Sequence, residues 1–139
     1  MVKDILYNKM EIIERFMMRV KEVYNENPDN LKDYTKQDSI VLNIQRAVEA
    51  TIDIAMYIVS EKKLGIPKNS RDAFEVLEHN GIINNDMLNK LKNMIGFRNI
   101  AVHNYQKLNL DILQKIIESN LEDFSEFVYL INKLKLNKI

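Results

Sequence analysis

The sequence predicts an all-α fold, an antiparallel up-and-down four-helix bundle with an additional short helix. Three observations carry this. Apolar residues recur at steps of three and four through most of the chain. No run alternates with period two between turn signals, so no strand is expected. Segments rich in Asn, Asp, Gly and Pro interrupt the periodic runs and leave only short connections, which join antiparallel neighbours.

The first helix covers residues 2 to 24: Leu6, Met10, Ile13, Met17, Val20 and Tyr24 lie along one side, and Ile5, Ile12, Phe16 and Val23 widen that stripe. NENPDN, residues 25 to 30, breaks the pattern as a turn. Thr35 with Asp38 three residues on resembles a capping box, after which Ile40, Ile44, Ala47, Thr51, Ile54 and Ile58 continue at helical spacing. Val41, Val48, Ile52, Ala55 and Val59 make this second helix apolar over more than half its circumference, as the central helix of a bundle would be. KKLGIPKNS, residues 62 to 70, stops it, and Asn69 and Ser70 cap a third helix from Arg71 to His79. That short helix turns Phe74 and Leu77 inward and ends at Gly81, suited to a left-handed C-terminal position. Asn84 or Asn85 starts the fourth, with Met87, Leu88, Leu91, Ile95 and Val102 on its buried side. The last helix, from Asn109 to about Lys135, carries Leu113, Ile117, Leu121, Phe124, Val128 and Ile131; the basic tail NKLKLNKI reads as its fraying end.

The 139 residues make a single domain, 1–139, large enough to bury a core without covalent staples. Apolar residues at 46% and charged residues at 29% are those of a globular protein rather than a disordered one. Cysteine is absent, which excludes a disulfide framework, a thiolate zinc site and a cysteine nucleophile, and is compatible with an intracellular location. The N-terminal MVKDILYNKMEIIERF is too charged for a signal peptide, and no window approaches a membrane span, so a soluble, cytoplasmic protein is expected. Twenty basic and twenty acidic residues cancel, and any affinity for phosphate must come from a local patch.

Glycine-rich phosphate loops are excluded by three isolated glycines. No metal or other cofactor is expected, because His79 and His103 lie far apart and no metal-binding motif surrounds them. The acidic residues read as solvated helix faces, the seven methionines as packing, and His79 as a partner of its helix's negative end. Arg98 and His103 stand apart from these. Arginine is scarce, five against fifteen lysines, which suggests that the planar fork of Arg98 is used rather than its bare charge. An Arg followed loosely by a His arises by chance in roughly one such sequence in five. Requiring Asn after the Arg and Tyr two beyond the His lowers that to about a few in ten thousand.

On a continuous helix, residues 98 and 103 stand roughly 140° apart. Either the backbone leaves the helix between Asn99 and Val102, or each subunit offers its pair to a site shared with a twofold mate. Ile100 and Val102 would then anchor the segment while Arg98, His103 and Tyr105 stay free. In the competing structural reading, Arg98 and His103 complement the helix dipole and Asn104 takes the left-handed cap. The residues by themselves leave both open.

The string Arg98-Asn99, three residues, His103-Asn104-Tyr105 resembles the R-N-x3-H-x-Y form of the HEPN motif found in HepT-like proteins. RDAFEVLEHNGII (71–83) and LKNMIGFRNIAVHNY (91–105) resemble the same family, and the order of helices matches over nearly the whole chain. The resemblance implies a metal-independent endoribonuclease toxin, a homodimer whose two motifs face one cleft, paired with an MNT-type nucleotidyltransferase antitoxin. It implies that Arg98 and His103 are catalytic, that Asn99 orients them or the phosphate, and that Tyr105 is adenylylated by the partner. Asp72 is placed beside the same cleft.

RNA carries its own nucleophile, so a base, an acid and positive charge on the phosphorane suffice, and no metal is required. An imidazole works near neutrality and a guanidinium can fork onto two phosphate oxygens. With no net charge, RNA affinity would rest on two copies of Arg98 and on Lys90, Lys92 and Lys107. Two other classes are compatible with the residues: a non-catalytic HEPN adaptor or nucleotide-binding subunit of a nucleotidyltransferase complex, and a structural dimerisation domain.

Overall fold

The computed structural model describes residues 2–134. Among them the chain forms α1 (Val2–Tyr24), a 3-10 turn (Pro28–Lys32), α2 (Tyr34–Glu61), α3 (Ser70–His79) and α4 (Asn85–His103). A second 3-10 turn (Tyr105–Lys107), α5 (Leu110–Lys115), a π-helical turn (Ile116–Asn120) and α6 (Leu121–Asn132) complete it, and no strand occurs among the described residues. Residues 135–139 of the basic tail lie outside the described residues.

Cross-helix partners fix the directions. Lys9 pairs with Asp53 while the Arg46 guanidinium lies over the Phe16 ring, so α1 and α2 run antiparallel. Arg98 with Glu49, and Tyr105 with Asp38, set α4 antiparallel to α2. Lys21 with Glu122 and Tyr24 with Glu118 do the same for α1 and the last helical segment. α3 is the short extra helix, laid against α4 through Lys92–Glu75 and the approach of Arg71 to Gly96.

The core forms where the apolar stripes meet. α2 buries Ile40, Val41, Ile44, Ala47, Val48, Ile54, Ala55, Ile58 and Val59, and is the central helix that its wide apolar face predicts. Thr51, within that face, satisfies its hydroxyl by donating to the Ala47 carbonyl at 2.8 Å. Phe74 of α3 meets Phe127 of α6 edge to face, centroids 6.0 Å apart, a geometry worth about 0.5–1.5 kcal/mol beyond the area buried.

Side-chain caps close the starts of α3, α4 and α5, the first two where the sequence places them, and the cap expected for α2 fails. Asn69 and Asn84 accept the N–H groups of Asp72 and Met87, and Asn109 those of Asp111 and Ile112. Gly81 closes α3 at φ +72. α2, however, is capped by Asp33, whose carboxylate accepts from Lys36 N–H at 3.1 Å, and not by Thr35. Asp33 sits one residue before the first helical residue, and Asp38 is thereby left for another partner.

The last helix is not uniform. Its buried residues Leu113, Ile117 and Leu121 follow at two successive steps of four, which on a regular α-helix would drift by about 80°. The wide turn at Ile116–Asn120 absorbs that drift and keeps both Ile116 and Ile117 buried.

Candidate active site

α4 runs unbroken through Arg98 and on to His103, so the backbone does not leave the helix between Asn99 and Val102. Its core side is Met87, Leu88, Leu91, Met94, Ile95, Phe97 and Ala101. Ile100 and Val102, expected to anchor the segment, are 45% and 41% exposed. The anchoring falls to Phe97 and Ala101, one turn apart, and helical geometry then forces their neighbours outward. Asn104 ends α4 at φ −154 rather than in the left-handed region, its N–H donating to the Ile100 carbonyl at 2.9 Å.

Arg98 faces α2. Its Nε and Nη2 donate to Glu49 Oε2 at 3.2 and 2.9 Å, and its Nη1 donates to Asn99 Oδ1 at 3.3 Å. Its side chain keeps 29% of its surface exposed. One N–H each on Nη1 and Nη2 remains uncommitted by these bonds, so the end of the guanidinium can still fork onto an anion. His103 is exposed at the C-terminal end of the helix. Helical spacing puts it on the side of Asn93, Gly96 and Ile100, which line a 380 Å³ groove between α4 and α5, whereas Arg98 points away from that side. One protomer therefore does not bring Arg98 and His103 onto one face.

Tyr105 follows in the 3-10 turn. Its hydroxyl donates to Asp38 Oδ1 at 2.5 Å and lies 3.4 Å from Gln37 Oε1. Gln37 is fixed in turn, its Nε2 donating to the Leu31 carbonyl at 2.9 Å. Burial, with the hydrogen bond and charge of Asp38, holds the Tyr105 phenol well above the usual tyrosine range. Tyr105 is thus not free. Asp72 is engaged at its own helix: its Oδ2 accepts from Lys68 N–H at 2.8 Å while its own N–H donates to the N-cap Asn69 Oδ1.

Two of the three expected RNA-facing lysines are already neutralised. Lys90 lies within 4 Å of Asp86, Asp123 and Glu126, and Lys92 within 3.1 Å of Glu75. Lys107 is exposed. Sequence reasoning missed Glu49, Asp38 and Gln37, which are 49, 67 and 68 residues from their partners. Among the described residues no three His, Asp or Glu side chains gather as a metal site would require, and no helix is long and apolar enough to cross a membrane.

An antiparallel helical bundle with R-N-x3-H-x-Y at the end of α4 defines the class, a HEPN domain. Comparison with known proteins narrows it. A family model described as ribonuclease HepT-like matches residues 11–131. The mRNA nuclease HepT of Shewanella oneidensis is 45% identical over 130 residues, 94% of this chain and 98% of that one. A tri-AMPylated Shewanella oneidensis HEPN toxin, solved in complex with an MNT antitoxin, superposes with a TM-score of 0.90 at 46% identity over 94% of this chain and 98% of the other. A toxin–antitoxin complex solved with AMP-PNP superposes equally well, at 45% identity over the same shares. The chain belongs to the ribonuclease HepT-like family.

Proposed function

We propose that this chain is a metal-independent endoribonuclease toxin of a HEPN/MNT pair, acting as a homodimer in which Arg98 of one protomer and His103 of its partner converge on one phosphodiester. The observation that carries the shared site is the unbroken course of α4, which turns the two side chains to different sides of one helix. Family membership supports the chemistry, and the Shewanella oneidensis relative is an mRNA nuclease.

His103, exposed, takes the proton of the RNA 2′-hydroxyl, and the freed oxygen attacks the adjacent phosphorus. Arg98, held along one edge by Glu49, presents its end to the non-bridging oxygens as charge develops there. Asn99, accepting from Nη1, helps to set the orientation of that fork. The imidazolium so formed returns a proton to the leaving 5′-oxygen. The products are a 2′,3′-cyclic phosphate and a 5′-hydroxyl. DNA, lacking the nucleophile, is not cut.

Regulation falls to Tyr105, two residues beyond His103, as the acceptor of nucleotide from an MNT-type nucleotidyltransferase. This reading is supported by the AMPylated relative solved with its antitoxin. The ion pair with Glu49 is the one observation that favours the non-catalytic adaptor instead, because it already supplies Arg98 with an anion. Cleavage of RNA by the purified chain in excess chelator separates the two. Activity yielding cyclic-phosphate ends, lost in Arg98→Ala and in His103→Ala with helical content unchanged, is the expected result. Intact RNA with wild-type protein would overturn the nuclease reading.

A further inference from the structure

We propose that Asp38 is the proton acceptor for Tyr105 during nucleotidyl transfer, so that the toxin itself supplies the base for its own modification. The inference rests on the reading of Tyr105 as the acceptor and adds a second residue to that reaction.

Exposure does not single out Tyr105. Among the six tyrosines, Tyr34 is 78% exposed and would be the easier target if access decided. Tyr24 meets a carboxylate, Glu118, but is buried, and Tyr57, half-buried, meets Glu61 one turn on in α2 rather than beside the motif, so a neighbouring carboxylate alone does not select Tyr105 either. Tyr105 combines partial exposure with a 2.5 Å hydrogen bond from its hydroxyl to the exposed Asp38, near the start of α2. A phenol has one proton, and Asp38 Oδ1 receives it, so the lone pairs of Tyr105 Oη are left for an electrophile. Gln37 lies at 3.4 Å and is locked by its bond to the Leu31 carbonyl, which confines the hydroxyl between two acceptors. The burial that keeps this phenol neutral also means that it will not react as a preformed phenolate, and a base must act as the bond forms.

The step balances with a nucleoside triphosphate held by the nucleotidyltransferase. The bond from Tyr105 Oη to the α-phosphorus forms while the bond from that phosphorus to the bridging oxygen breaks. Pyrophosphate leaves with the electron pair, and the phenolic proton passes to Asp38 Oδ1 and then to water. Once modified, Tyr105 can no longer donate to Asp38, and the carboxylate faces the new phosphodiester charge, which disfavours the original packing of the 3-10 turn.

The test uses the full chain with its MNT-type partner and Mg-ATP, reading adenylylation by intact mass across pH. Asp38→Asn keeps an acceptor oxygen but cannot take the proton. Its modification rate should fall about a hundredfold near pH 7 and climb roughly tenfold per pH unit, while the wild-type rate stays flat across neutrality. Unmodified Asp38→Asn should still cleave RNA like wild type, which checks that the fold is intact. A rate equal to wild type, or a slower rate with the wild-type pH profile, would reduce Asp38 to a structural contact and overturn the proposal. Adenylylation of Tyr105→Phe would instead defeat the choice of Tyr105 as acceptor, independently of Asp38.

Discussion

Arg98 shows how much one side chain's chemistry depends on its second partner. Glu49 takes the Nε edge and leaves the end of the guanidinium, so the geometry of the fork matters more than its charge. Arg98→Lys preserves the charge and loses the fork. We expect cleavage to fall at least about tenfold while RNA binding changes less, measured by single-turnover kinetics alongside a binding titration. A variant with unchanged single-turnover rate would show that Arg98 serves only as a point charge. Arg98 and His103 stood out in the sequence as candidates, from a string too specific for chance. Their partners were not. Glu49 and Asp38 look like any solvated helix carboxylate until tertiary packing brings α4 across α2.

At the scale of elements, period and caps were readable and their exact use was not. Asp33 and Thr35 are both competent N-caps, and which one acts depends on where the preceding 3-10 turn releases the backbone. The two steps of four in the last helix were visible, yet only the packed structure shows that a wide turn absorbs the drift. Asn84→Ala should cost about 1 kcal/mol and lower the melting temperature by roughly 3–5 °C, checked by thermal circular dichroism. The wide turn carries a pH signature. Tyr24 bonds Glu118 there, and burial first, then that bond and its charge, push the phenol from 10.0 up to about 12. Its folded pKa lies above the unfolded one, so its stabilisation is complete below pH 10 and is lost as pH rises toward 12. Tyr24→Phe should flatten that alkaline loss in denaturant titrations between these limits; an unchanged slope would remove Tyr24 as its source.

For the whole molecule, the absence of net charge and the neutralised Lys90 and Lys92 limit the field available to RNA. Affinity should therefore depend weakly on salt, with a log–log slope of about 1–2, as expected when few phosphates are engaged. A steep slope would reveal a basic surface formed only on assembly. The bundle itself was legible because four long amphipathic stripes with short connections have few ways to bury themselves. The proposal of a shared site rests on one number, the helical angle between residues 98 and 103, together with the continuity of α4. Mixing two inactive proteins tests that site most directly. Arg98→Ala and His103→Ala protomers, co-refolded in equal amounts, form mixed dimers that retain one intact site, and cleavage should return to about a quarter of the wild-type level. A mixture as inactive as either parent, with mixed dimers verified by native mass spectrometry, would contradict a site built from two protomers.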